Sequence, residues 1–185
     1  MILKKLFARH QYAQASQTLY QEIVRQARQP VFYLEAEVPD TIDGRYEMIS
    51  LHAFLVMRRF KRDDEDLQVL SQAVFDLMFA DMDQSLREIG VGDLSVGKRI
   101  KAMAKVFYGR IVAYETALDG GSETLETALV RNHYGTLQER PKADSVANLA
   151  GYIREMDEFL LYQKTSDLKA GFVKFCQFGK TRENS

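Results

Sequence analysis

A glycine-rich stretch that ends in a lysine is the part of this sequence closest to a catalytic motif. Gly92, Gly97 and Lys98 have the Gly-x-x-x-x-Gly-Lys spacing of loops whose backbone amides hold nucleotide phosphates. Such a loop continues with a serine or threonine that binds magnesium, but Arg99 occupies that position. The loop also follows a buried strand, whereas residues 81–89 have the pattern of a helix. We therefore interpret the glycines as a turn between two helices, followed by a basic face.

A run of acidic residues offers a second kind of chemistry. Asp63–Asp66 is entirely acidic, and Asp81 and Asp83 follow. Carboxylate oxygens suit magnesium, and all-helical isoprenoid enzymes hold the ion with aspartate-rich motifs. Those motifs face a cavity from within helices, whereas this run follows a helical pattern that ends at Lys61 and Arg62. We favour a solvated loop with a helix cap. A magnesium-dependent isoprenoid enzyme using these aspartates remains the alternative function.

The other residue types that commonly carry catalysis have no partners at a useful spacing. His10, His52 and His133 lack the spacing of metal ligands, and His52 lies in an apolar stretch typical of a core helix. Cys176 is the single cysteine, which excludes an internal disulfide and fits a reducing compartment. The sequence therefore predicts no catalytic site, no metal site and no cofactor.

Composition and charge narrow the class of protein. The chain has 185 residues, of which 46% are hydrophobic and 28% charged, with a formal net charge of −1. This is typical of one soluble globular domain, and its near-neutral balance does not favour specific nucleic-acid binding. The charge is uneven, because residues 63–93 carry nine acidic and one basic group whereas residues 94–118 carry five basic and one acidic group. Such blocks allow either pairing between segments or a patchy surface for a protein partner.

Helical periodicity dominates the pattern and predicts an all-α fold. The clearest helix is 95–118, where apolar residues recur every three or four positions. We expect a single compact domain of about seven to nine helices over residues 15–178, preceded by an amphipathic segment 1–14 and followed by a disordered tail 179–185. The three prolines fall between periodic segments, and residues 30–43 are expected to be partly extended. The predicted helices are 4–10, 14–28, 44–61, 65–80, 82–89, 95–118, 122–134, 144–163 and 166–176.

Polar residues and glycines occur within and at the ends of these helices at positions that helical periodicity does not explain. Asp40 or Asp43 is expected to cap the helix that begins near Gly44. A helix is expected to end at Gly90. Gly109 lies inside the best-defined helix, where glycine costs about 1 kcal/mol relative to alanine. We interpret Gly109 as a site of close approach, either by another helix of the domain or by a partner.

The segments that carry this detail resemble the ubiquinol–cytochrome c chaperone family, which includes alphaproteobacterial proteins and a mitochondrial assembly factor for cytochrome b. The matching stretches are residues 27–33, 38–45, 81–98 and 107–110, in the order of the family. The residues taken from the resemblance as a partner-binding or architectural set are Phe32, Tyr33, Pro39, Asp40, Asp43, Gly44, Arg45, Asp83, Arg87, Glu88, Gly90, Gly92, Asp93, Lys98, Phe107, Tyr108, Gly109 and Arg110.

The resemblance implies a non-enzymatic chaperone that binds newly made cytochrome b and supports assembly of the ubiquinol–cytochrome c reductase complex. It implies no cofactor. Mitochondrial relatives act with a small partner subunit and the ribosome. Grooves between helices would receive an amphipathic or transmembrane helix of the client.

Location is also an expectation at this stage. The N-terminus has apolar and basic residues (Ile2–Phe7) but no signal-peptide core, which predicts a cytoplasmic protein of bacterial type. The same residues are candidates for contact with the inner-membrane surface.

Overall fold

The computed structural model describes residues 12–62, 65–135, 137 and 139–179, which are helical for most of their length and contain no strand. This confirms the predicted all-α class. Eight helices lie in these residues, within the predicted range. They are α1 (Ala13–Ala27), α2 (Pro30–Leu34), α3 (Ile42–Lys61), α4 (Glu65–Glu88), α5 (Asp93–Leu118), α6 (Leu125–Asn132), α7 (Ala143–Leu161) and α8 (Thr165–Lys169). None of the described helices is both long enough and apolar enough to cross a membrane.

Two of the predicted element boundaries are wrong. Helix α4 runs without interruption through Asp81, where a break was expected. Residues 30–34, within the stretch 30–43 that was expected to be partly extended, form a short helix, because Pro30 stands at the first helical position, where its missing N–H costs nothing. The last helix ends at Lys169 rather than near 176, since Gly171 takes a left-handed φ of 91° and packs against the backbone of α1. The predicted helix 4–10 lies outside the described residues.

Helix α3 is the centre of the molecule. Fifteen of its 20 residues are buried, and it contacts α1, α4, α5 and α7. A helix that is buried on every side needs apolar residues all round, which the run around Leu51 and Phe54 provides. The surrounding helices pack against it with one stripe of buried residues each. In α5, for example, the buried residues are Val96, Phe107 and Tyr114.

Several polar side chains of α3 are paired by the helices around it. His52 is fully buried, its Nδ1 lies 2.8 Å from the carbonyl oxygen of Met48, and its Nε2 lies 2.9 Å from the hydroxyl of Tyr152. Because a carbonyl can only accept, Nδ1 carries the proton and Nε2 accepts from Tyr152. The Tyr152 hydroxyl in turn accepts from Gln26. A chain of hydrogen bonds therefore links α3 to α7 and α1, and His52 is the core histidine that the sequence predicted.

The N-terminus of α3 depends on the turn that precedes it. Thr41, and not Asp40 or Asp43 as predicted, caps the helix, because its hydroxyl accepts from the amide of Gly44 at 3.1 Å. Gly44 lies directly over Pro39, so that a Cβ at position 44 would lie 1.9 Å from the carbonyl oxygen of Pro39. By contrast, a Cβ at Gly109 would meet no described atom within 4 Å. The prediction that another helix of the domain approaches Gly109 closely is therefore wrong for the helices that the structure describes.

Replacing Gly44 should destabilise the fold. We expect Gly44→Ala to lower the free energy of unfolding by at least about 2 kcal/mol, because the added methyl overlaps the Pro39 carbonyl and the turn must move. The matched control is Gly109→Ala, which should stabilise by about 0.5–1 kcal/mol because it adds helix propensity on an open face. Chemical denaturation of both variants measures this, and equal stability of the two would contradict it.

Burial of His52 makes stability depend on pH. Desolvation lowers the pKa of His52 in the folded chain to about 4. In the unfolded chain the same imidazole is protonated below about pH 6.5, so between these pH values only the unfolded chain binds the proton. The stability that the neutral imidazole contributes is fully present above about pH 6.5 and is lost progressively as the pH falls from there through about 4. We expect the stability advantage of the wild type over His52→Asn to shrink by on the order of 3 kcal/mol over that range. A constant difference across the pH series would contradict this.

Candidate functional site

An open groove lies where α3, α4 and α5 meet. Its volume is about 420 Å³. The floor is apolar, and the rim is charged on both sides. The floor residues include Tyr46, Ile49, Met82, Leu86 and Met103, and the charged residues at the rim are Arg28, Asp43, Arg45, Glu88 and Arg99. Ile42 and Ile89, also part of the lining, keep 61% and 54% of their surface exposed. We call this surface the main groove.

The turn between α4 and α5 forms one end of the main groove. Gly90 has a left-handed φ of 86°, and the amides of Gly90 and Val91 donate back to the carbonyls of Arg87 and Leu86. This is a Schellman cap, which requires a residue such as glycine at the left-handed position. Gly92 then stands at the N-cap of α5. The phosphate-loop pattern is thus a helix end followed by a helix start, and Gly90 ends the helix as predicted.

Arg87 fastens this turn. Its guanidinium donates to Asp83 on the preceding turn of α4 at 2.5 Å and to Asp93 at the start of α5. These three residues of the predicted set therefore bind one another and link the end of α4 to the start of α5. Lys98, further along α5, is exposed to solvent.

The opposite rim is formed by the first turn of α3, directly after the turn that precedes this helix. Arg45 donates to Asp40 at 2.7 Å, and this contact lowers the pKa of the Asp40 carboxyl. Tyr33 lies beside this pair in an adjoining depression that also contains Arg28 and Arg45. Two of the four stretches that carry the family resemblance, 38–45 and 81–98, therefore face each other across the main groove.

The other predicted residues lie elsewhere. Phe32 is fully buried and stacks edge-on against His52 and Tyr152, so its role is architectural. Phe107 and Tyr108 line a second groove between α3, α4 and α5, of about 460 Å³, in which Phe107 is buried and Tyr108 keeps 54% of its surface exposed. The predicted set thus divides into groove residues, core residues and helix connectors.

The aspartates of the alternative enzyme hypothesis do not converge. Asp66 pairs with Lys169 at 3.1 Å, Asp81 accepts from the hydroxyl of Tyr20 at 2.6 Å, and Asp83 is held by Arg87. Asp63 and Asp64 lie outside the described residues. Among the residues that the structure describes, no three histidine, cysteine, aspartate or glutamate side chains come together in a way that would hold a metal ion.

A buried ion pair lies between the two grooves. Arg110 on α5 contacts Glu47 on α3 at 2.6 Å, with 16% and 9% of their side-chain surfaces exposed. The second Glu47 oxygen and two guanidinium nitrogens of Arg110 are buried without a hydrogen-bond partner among the described residues. Burial raises the pKa of Glu47 to about 8 despite the nearby guanidinium. Arg110 is thus an architectural member of the predicted set.

Some residues that shape this site were not predicted from the sequence. Glu47 was missed because it lies among apolar residues on a helix with no apolar face of its own. Ile42 and Ile89 were missed because each stands beside a turn, where an isolated apolar residue is normally unremarkable. A long, uniformly apolar helix interrupted by single charges is the signal that would have identified Glu47, since buried charges require partners.

These features define a class of protein: an all-helical domain whose described surface has apolar grooves with charged rims, suited to binding another protein. The family is shown by comparison with known proteins. This chain belongs to the ubiquinol-cytochrome C chaperone family, whose model matches residues 34–175.

Individual relatives agree with the family match. The crystal structure of a Cbp3 homolog from Brucella abortus superposes with a TM-score of 0.80 at 39% identity, covering 96% of this chain and 98% of that one. The ubiquinol-cytochrome c reductase complex assembly factor 1 proteins of mouse and human are each 23% identical over 154 residues, or 83% of this chain. That span is 52% of the mouse protein and 51% of the human one, so the chain covers about half the length of these relatives.

Removing one partner of the buried ion pair should be costly. We expect Arg110→Met to lower the free energy of unfolding by about 1–3 kcal/mol, because the Glu47 carboxyl then takes up a proton and is left buried without its hydrogen-bond partner. Arg45→Met removes an exposed arginine from a pair with Asp40 and should cost no more than about 1 kcal/mol. Denaturant titration of the two variants tests this. A loss at Arg110 no larger than that at Arg45 would show that the buried pair does not hold α5 in place.

Proposed function

We propose that this chain is a non-enzymatic assembly chaperone that binds newly made cytochrome b and supports assembly of the ubiquinol–cytochrome c reductase complex. Membership of the chaperone family supports the assembly role. The observation that carries the proposal for this chain is the main groove, because it brings segments 38–45 and 81–98 together around an apolar floor.

The groove has the chemistry that suits a helix of an unassembled membrane protein. Apolar side chains of a client helix would cover Ile49, Met82 and Met103, and polar groups at its end would meet the charged rim. About 420 Å³ accommodates a few side chains and not a whole helix. We therefore expect one line of apolar side chains on the client helix to contact the groove, and the client to cover Ile42 and Ile89 at the margins of the groove.

The arrangement of charges supports binding more than catalysis. The arginines and carboxylates around the groove are either paired with each other, as Arg45 is with Asp40, or spread along the rim. Asp81 and Asp83 are each engaged by a different side chain. We propose no role for magnesium and no enzymatic activity.

Two further partners remain predictions. Contact with the ribosome is implied by the family resemblance, and we retain it as part of the proposal. Contact of the N-terminal segment with the inner membrane was predicted from Ile2–Phe7, which lie outside the described residues.

A photo-crosslinking amino acid placed at Ile89 should capture cytochrome b in cells that assemble the complex, because this side chain lies exposed at the margin of the groove. The matched control is the same amino acid at Val130, which is 40% exposed on α6 and does not line the groove. Mass spectrometry of the crosslinked material identifies the client.

A second variant tests the groove by loss of binding. Ile42→Ser combined with Ile89→Ser removes exposed apolar surface only, so the fold should remain intact while capture of cytochrome b and the amount of assembled complex fall several-fold. Equal crosslinking at positions 89 and 130, or full assembly in the double variant, would contradict the proposed site.

A further inference from the structure

The outer surface of α5 is basic and has no partner in the described structure. Lys98, Arg99, Lys101 and Lys105 are all exposed, and no ion pair or side-chain hydrogen bond joins them to any residue that the structure describes. No acidic residue occurs between Leu94 and Tyr114. Lys98, Lys101 and Lys105 therefore carry three uncompensated positive charges on one side of the helix over about two turns, whereas Arg99 lies at least about 100° away, at the rim of the main groove.

Neighbouring carboxylates do not neutralise this surface. On α4, the helix that forms the turn with α5, Asp81 is bonded to Tyr20, Asp83 to Arg87, and Glu88 to Gln84. Glu115 on α5 itself pairs with Lys61 of α3. These carboxylates are bonded to side chains other than the lysines of α5, so those lysines are left for an outside partner.

Large apolar side chains share this surface with the basic ones. Leu94 and Val112 keep 93% and 64% of their surface exposed. At 100° per residue, Leu94, Lys98, Lys101, Lys105 and Val112 lie within about 60° of one another on the helix. The stripe from 94 to 112 is about 27 Å long. We call it the α5 outer face.

We propose that the α5 outer face docks on an anionic phospholipid surface. Its positive charges complement lipid phosphates, and its exposed aliphatic side chains would enter the boundary between headgroups and acyl chains, as in a helix that lies in the membrane plane. A nucleic acid would satisfy the lysines but would leave Leu94 and Val112 in water, so the observations favour a lipid. The proposal does not depend on the client, because it concerns a different face from the floor of the main groove.

A second exposed patch serves as the internal comparison. Leu161, Tyr162 and Phe172 are exposed near Lys164 and Lys174 at the end of α7. This end lies beside the C-terminal end of α3, where Arg59 donates to the carbonyls of Leu160 and Gln163. The N-terminal half of α5 instead contacts the start of α3, where Tyr46 reaches the carbonyl of Met103. The two patches are therefore distinguishable by site-specific probes.

The absence of tryptophan from this chain allows a direct test. The variant Leu94→Trp, in the otherwise intact chain, is mixed with vesicles of equal parts phosphatidylglycerol and phosphatidylcholine. Its emission should shift to shorter wavelength as the indole enters the lipid, and it should not shift with vesicles of phosphatidylcholine alone. The control Tyr162→Trp should show no shift with either. A shift at both positions, at Tyr162→Trp alone, or at neither would overturn the assignment.

Charge reversal tests the electrostatic part independently. Lys98→Glu, Lys101→Glu and Lys105→Glu together should reduce partitioning onto the anionic vesicles at least about tenfold, and raised salt should weaken the wild type in the same direction. The control reverses Arg140, Lys164 and Lys174, which changes the net charge equally. Equal losses in both triple variants would show a non-specific effect of charge and would overturn the proposal, whereas loss confined to the α5 variant supports it.

Discussion

Burial of α3 on all sides is the constraint on which the rest of the structure depends. A helix surrounded by other helices has no face on which to expose polar groups, so each of its polar side chains needs a partner from a neighbour. His52 is bonded to Tyr152 of α7, Glu47 to Arg110 of α5, and Arg58 to Asp157 of α7. Two of these contacts come from α7 and one from α5, and together they restrict how these two helices rotate against the centre.

The same arrangement explains why grooves open beside α5. Helix α5 is longer than α3 but contributes few fully buried side chains, and its contact with the centre is anchored by Phe107, Arg110 and Tyr114. The main groove lies toward the N-terminus of α5 from this anchor, and the second groove lies alongside the anchor, next to Tyr108. Helix α5 therefore lines both grooves, and it also carries the α5 outer face.

The polar residues of the family-like segments do not all have one purpose. Arg87, Asp83 and Asp93 hold a turn, whereas Asp43 and Glu88 face the groove without being needed for that turn. Substituting a residue of the first kind would disturb the shape of the groove, and substituting one of the second kind would alter its charge. This division explains how one short stretch of sequence combines structural and binding requirements.

The sequence by itself determined the helical class and the end of a helix at Gly90, because helix periodicity and capping chemistry depend on residues close together in the chain. It also indicated that His52 is a core histidine, because the residues around it are apolar. The resemblance of four short segments also indicated the family. Only the tertiary structure decided that α4 is continuous through Asp81, that Thr41 is the cap, and that Gly109 is open to solvent. It also decided which residues share a groove. Segments 38–45 and 81–98 meet only because α3 is enclosed by its neighbours, and the burial that brings them together depends on contacts between residues far apart in the chain.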